Sequence, residues 1–184
     1  MKQMIKIFIP FLTLLFAACN SNNQKDSSSS TSELKDSVAT NSTTPEGGGT
    51  AILKDDKLNA VYQHYAHLTD ALIDGNVKEA RLASNAIETG AGEIPEAKTL
   101  GVAAAKITAA TDIEKQRAAF SGLSDDFITL VKKSGIKGGQ LYVDFCPMAL
   151  NDKGAFWLSS EKAIRNPYFG DKMMTCGDVK ETIK

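Results

Sequence analysis

Charge of one sign, cysteine, histidine and aromatic side chains are all scarce in this chain. Lys and Arg number 21 against 22 Asp and Glu, a net charge of −1 over 184 residues. No basic stripe stands out, which excludes nucleic acid as a partner. No G-x-S-x-G, P-loop, dinucleotide fingerprint or metalloprotease helix occurs. No Cys-x-x-Cys occurs either, and no partner base stands near Cys146-Pro147, so thiol catalysis has no sequence support. The chain is read as not an enzyme. The apolar run at Ile7–Phe16 is too short to cross a bilayer.

That run has a different meaning. Lys2 and Lys6 precede and flank it, and Ala17-Ala18-Cys19 follows. A basic start, an apolar stretch and small residues before a cut describe a secretory signal. A cysteine directly after the small residues is the pattern cut by a lipoprotein signal peptidase, with Cys19 taking the lipid. Residues 1–18 are thus expected to be a lipoprotein signal peptide. Buried methylenes of the acyl chains, at roughly 0.8 kcal/mol each, would hold the protein on a membrane. The expected location is the cell envelope, on the outer membrane. Residues 19–50 are rich in Ser, Thr, Asn and Gly. They offer too little apolar surface to offset chain entropy and are read as a disordered tether.

The folded part is expected over residues 51–184, enough for a hydrophobic core. Asp55 or Asp56 caps a first helix, whose residues Leu58, Val61, Tyr62, Tyr65, Leu68 and Leu72 share one face. Gly75 stops it and Asn76 caps a second. "TGAGEIP" breaks the second, and Pro95 opens a third in its first turn. Asp112 caps a fourth, with Gly122-Leu123-Ser124 as a place for a kink and Gly135 as its end. Short connections favour antiparallel neighbours. The fold class is mainly α: an up-down bundle of about four helices over residues 55–134, with a small C-terminal β-hairpin and loop region over residues 139–184. In that region "QLYVDFCPM" and "GAFWLSS" read as paired strands, with Asn151 to Gly154 as their turn.

Two of the three cysteines, the Trp and three of the five Met lie between Phe145 and Gly177. With Cys19 lipidated, Cys146 and Cys176 remain as a pair in an oxidising compartment. A disulfide between them would close a loop of about 30 residues and contribute roughly 3–4 kcal/mol. The alternative is metal ligation. On a strand, Met148 would share a face with Cys146, and Met173 and Met174 stand just before Cys176. Thiolate and thioether donors select Cu(I) and similar soft ions. The two histidines, His64 and His67, lie on the first helix. At ~100° per residue they sit about 100° and about 160° from the centre of its apolar face. A two-His clip is the lesser candidate there, and a solvated pair the commoner outcome.

The stretch "YVDFCPMALNDKGAFWLSSEKAIRNPYFGDKMMTCG" resembles the signature of a bacterial envelope lipoprotein domain family of unknown function. Its pattern is C-P-M-A, K-G-A-x-W-L-S, I-R-N-P-Y-F-G and M-x-x-C-G. "HYAHLTDALIDGN" and "EKQRAAFSGLSDDF" are similar to its upstream region. Related copies are appended to periplasmic adaptor subunits of heavy-metal efflux pumps of the copper/silver class. The resemblance implies metal handling, with Cys146, Met148, Met173 and Cys176 at signature positions and Met174 beside them. Trp157, Asn166, Pro167, Tyr168, Phe169 and Gly170 also match, as residues that suit structure. The expectation is a lipid-anchored protein that binds a soft ion such as Cu(I), for buffering or delivery to such an adaptor. The alternative is a non-catalytic structural or protein-interaction lipoprotein with a Cys146–Cys176 disulfide.

Overall fold

A computed structural model describes residues 51–184. The expected signal peptide and tether, with Cys19, lie outside the described residues. The protein is mainly helical, with two small antiparallel sheets.

Local sequence accounts for the helix ends. Helix α1 (Asp56–Ile73) starts where the Asp55 carboxylate accepts the Leu58 N–H at 2.8 Å. It ends in a Schellman turn, with Gly75 at φ +68°. There the Asn76 N–H reaches Ala71 O at 2.8 Å and the Gly75 N–H reaches Leu72 O at 3.3 Å. Asn76 then caps α2 (Val77–Gly92), and Asp112 caps α4 (Ile113–Ser134). Pro95 opens a single 3₁₀ turn, Pro95–Ala97, and α3 (Lys98–Ala109) follows directly.

One expected break is present and one is absent. Helix α2 passes Gly90 and ends at Gly92, inside "TGAGEIP". A Cβ on Gly90 would stand 2.9 Å from Val61 Cγ2. This glycine therefore lets α1 and α2 approach, and packing rather than chain reversal explains it. Helix α4 is continuous across Gly122, because Leu123 and Ser124 belong to its buried stripe with Phe120 and Phe127.

Consecutive helices pack side by side, and α4 also packs on the C-terminal sheet. An aromatic cluster sits within the largely aliphatic core between them. The Tyr65 ring lies 4.8 Å from that of Phe127 and 5.5 Å from that of Phe120. Its hydroxyl meets Ser124 Oγ at 2.7 Å and accepts the Leu158 N–H at 3.0 Å. One side chain on α1 thus holds both α4 and the sheet.

Strand β1 (Ile52–Leu53) pairs with β2 (Ile136–Gly138), just after Gly135 ends α4. Strand β3 (Leu141–Cys146) pairs with β4 (Ala155–Ser159), in register from Tyr142–Ser159 to Cys146–Ala155. This is the expected hairpin. Strand β5 (Asp178–Ile183) covers the other edge of β3, with a bulge opposite Val143 and Asp144. Neither β5 nor the β1–β2 ribbon was expected from the sequence.

Candidate functional site

Cys146 is the last residue of β3 and is fully buried. Pro147 has no N–H to continue the ladder, and the chain leaves the strand there. Met148 therefore does not share a strand face with Cys146, as strand periodicity had suggested. It sits in a turn and is 47% exposed. The turn then passes through three consecutive left-handed residues, Leu150, Asn151 and Asp152, at φ 56°, 57° and 61°. Such backbone costs roughly 1–2 kcal/mol per residue outside glycine. The Gly154 N–H closes the turn on Ala149 O at 3.0 Å. The β3–β4 connection is thus longer than the four-residue turn expected at Asn151 to Gly154.

Cys176 arrives from the other side, and Asn166 places it. This fully buried side chain donates from Nδ2 to Cys176 O at 2.8 Å and accepts the Tyr168 N–H on Oδ1 at 2.8 Å. Its backbone N–H reaches Met174 O at 2.8 Å, and its carbonyl accepts the Gly170 N–H at 3.0 Å. Tyr168 follows, its hydroxyl donating to Phe156 O at 2.6 Å and its ring set between Phe120 and Trp157. Arg117 ties this loop to the bundle. Its Nε donates to Pro167 O at 3.0 Å, and its Nη2 donates to Leu72 O at the end of α1 at 2.8 Å. Gly170, at φ +56°, lies against that guanidinium and Ile73 O, leaving no room for a Cβ. The "NPYFG" stretch is therefore a bracket that presents Met173 to Cys176.

The bracket brings the two cysteines together. No disulfide bond joins them, and their sulfurs stand 2.7 Å apart. The Cys146 thiol alongside, with burial second, pushes the Cys176 thiol up to about 11. Cys176 is thus the reverse of an activated nucleophile. Met148 and Met173 line one groove elsewhere, together with Glu114, Arg117, Asp152 and Phe169. Met174 is partly buried outside that lining.

The histidines are not part of this constellation. Both His64 and His67 are exposed on α1, and His67 Nε2 lies 3.5 Å from Glu79 Oε2 on α2. His64 was expected to flank the core. Among the described residues, no group of three or more His, Cys, Asp or Glu side chains is placed to hold a metal ion. Thioether sulfurs fall outside that set of donors.

Two residues escaped the sequence reading. Arg117 lies in the buried stripe of α4 between Gln116 and Phe120, and helical periodicity alone would have placed it there. Asp144 stands in the apolar run of β3, fully buried, with no hydrogen-bond partner on either carboxylate oxygen. Burial raises its pKa to about 7.

The fold is a helical bundle with a small sheet packed along α1 and α4, and a sulfur-bearing loop pair on that sheet. Residues 61–139 match the model of a family described as "Protein of unknown function (DUF3347)". The matched span runs from α1 through β2 and stops before Cys146, so the sulfur-bearing stretch lies beyond it. No curated protein and no solved structure matches the chain.

Proposed function

We propose that this is a non-catalytic, lipid-anchored envelope protein that binds a soft heavy-metal ion, Cu(I) suiting its donors best. It would buffer the ion or pass it to the periplasmic adaptor of a heavy-metal efflux pump. The observation that supports this reading is convergence. Sulfur donors about 30 residues apart in sequence meet at one end of the fold, with Cys146 touching Cys176 and Met148 facing the same groove as Met173. Soft thiolate and thioether sulfur favours Cu(I) over the hard cations. The lipid anchor rests on Cys19 and the small residues before it. No helix among the described residues is long and apolar enough to cross a membrane. The reading is tested by competing Cu(I) from a chromophoric chelator with the purified protein. Stoichiometric uptake is expected. No uptake in either the reduced or the oxidised protein would refute it.

A second reading is favoured by the sulfur separation itself. Two sulfurs on one tetrahedral ion, with bonds of ~2.3 Å, stand roughly 3.8 Å apart. The observed 2.7 Å is shorter, approaching the roughly 2.05 Å of a disulfide. On this reading Cys146 and Cys176 form a staple that fixes the C-terminal loops, contributing about 3–4 kcal/mol. The protein would then serve as a structural or protein-interaction module. Thiol counting on unreduced protein separates the two: no free thiol for the staple, two for the cysteine-ligand version.

A further inference from the structure

We infer that the soft-ion site is the groove between Met148 and Met173, and that the Cys146–Cys176 pair, oxidised to a disulfide, is the latch holding its walls. The inference rests on the soft-metal reading above and replaces its ligands.

The geometry of the two sulfur pairs differs in kind. The cysteine sulfurs are too close to admit an ion between them, and Cys146 has no solvent exposure. The methionines are accessible. Met148 is 47% exposed and Met173 partly so, and both border open space. Two methionines lining one concavity, Met148 half-exposed and Met173 partly exposed, forgo the full burial that Met usually finds. The other walls suit a monovalent soft cation. The partly exposed Phe169 side chain borders the same space, while the Tyr168 ring is buried behind it. Asp152 supplies the negative charge that neutral thioethers lack, whereas Glu114 is already paired with Arg117, itself in the lining, and with Lys172, each at 3.2 Å. Such a donor set disfavours Mg²⁺ and Ca²⁺, which need several oxygens.

Both methionines sit in hydrogen-bonded turns beside a cysteine. The Met148 carbonyl accepts the Asp152 N–H at 3.4 Å, within the left-handed turn. The Met173 N–H donates to Gly170 O at 3.1 Å, and its carbonyl accepts the Cys176 N–H at 3.1 Å. A bond from Cys146 to Cys176 therefore joins the two turns and sets the width of the groove. In forming it the two thiols lose two protons and two electrons. A disulfide oxidant of the envelope takes these and is reduced to its dithiol. The ion then binds without any thiolate, so the site remains competent in the oxidising compartment.

The test is calorimetric titration of Ag(I), a redox-stable stand-in for Cu(I), into full-length protein in chloride-free buffer with detergent. The protein is first oxidised and shown to contain no free thiol. Oxidised wild type is expected to bind one Ag(I). Met148→Leu/Met173→Leu should weaken that binding at least tenfold with the melting temperature unchanged, since Leu conserves volume. Equal affinity in the double variant overturns the inference. Binding by reduced but not oxidised protein also overturns it, and leaves the soft-metal reading standing on the thiols. Binding in neither state removes both.

Discussion

Asn166→Ala tests the bracket that positions Cys176. The side chain makes two hydrogen bonds, one from Nδ2 to Cys176 O and one on Oδ1 from the Tyr168 N–H, each 2.8 Å long. Asn166 is fully buried and Tyr168 nearly so, so water cannot readily replace the missing amide. Each orphaned backbone group costs about 1–3 kcal/mol, and the variant should lose about 2–5 kcal/mol in all. That is a large share of the roughly 5–15 kcal/mol that holds a domain of this size. Urea unfolding of the reduced protein measures the loss directly. Asn166→Asp is the companion variant. It keeps the acceptor for Tyr168 but sets a carboxylate oxygen against Cys176 O, so it should be at least as damaging at pH 8. A second readout is specific to the site. With Cys176 no longer pinned, the Cys146–Cys176 disulfide should become easier to reduce in a glutathione redox buffer. An Asn166→Ala loss below about 0.5 kcal/mol, the range of ordinary surface changes, would refute the bracket.

Asp144 gives the protein a pH dependence of definite sign. Burial lifts its pKa from 3.8 to about 7, and its cross-strand neighbours Trp157 and Val179 carry no charge. The folded state then holds the proton more tightly than the unfolded chain, so stability falls as pH rises from about 4 to about 7 and levels off above. Asp144→Asn should match wild type near pH 4 and exceed it at pH 8 by about 2–4 kcal/mol; equal unfolding midpoints at pH 8 would refute this. Gly170→Ala forces a left-handed φ on alanine and sets its Cβ 2.5 Å from Ile73 O and 2.6 Å from Arg117 Nη2. A loss of about 2–4 kcal/mol is expected by thermal melting, and an unchanged melting temperature would show that the loop has room. Cys19→Ala should leave the precursor uncut and without lipid, read by mass spectrometry; normal processing would remove the anchor.

The bundle was legible because its signals are local. Asp55, Asn76 and Asp112 each cap the helix that follows by reaching a backbone N–H three residues on, and Gly75 and Gly135 take the positive φ that ends a helix. The apolar stripe of α1 from Leu58 to Leu72 is set by the 3.6-residue period, and no neighbour is needed to read it. The β3–β4 hairpin was also readable, since β-branched and aromatic residues flank a Gly-containing turn. The role of Gly90 was not legible, because a glycine in a sequence is the same whether it turns a chain or admits Val61, and only the partner helix decides between the two.

The sulfur-bearing end depended on the tertiary structure. "DVKETI" carries only two apolar residues, so β5 becomes a strand through its pairing with β3 rather than by its own propensity. Strand periodicity placed Met148 with Cys146, but Pro147 ends the ladder between them and sends the two sulfurs to different surroundings. No glycine marks Leu150 to Asp152 as left-handed; the closure of that turn onto Ala149 imposes it. Sequence alone determined which residues carry soft donors. The meeting of Cys146 with Cys176, and the placing of Met148 and Met173 on one groove, came only from the long-range contacts of Asn166, Arg117 and Tyr168. Those contacts bring together residues whose separation along the chain carries no record of their distance in space.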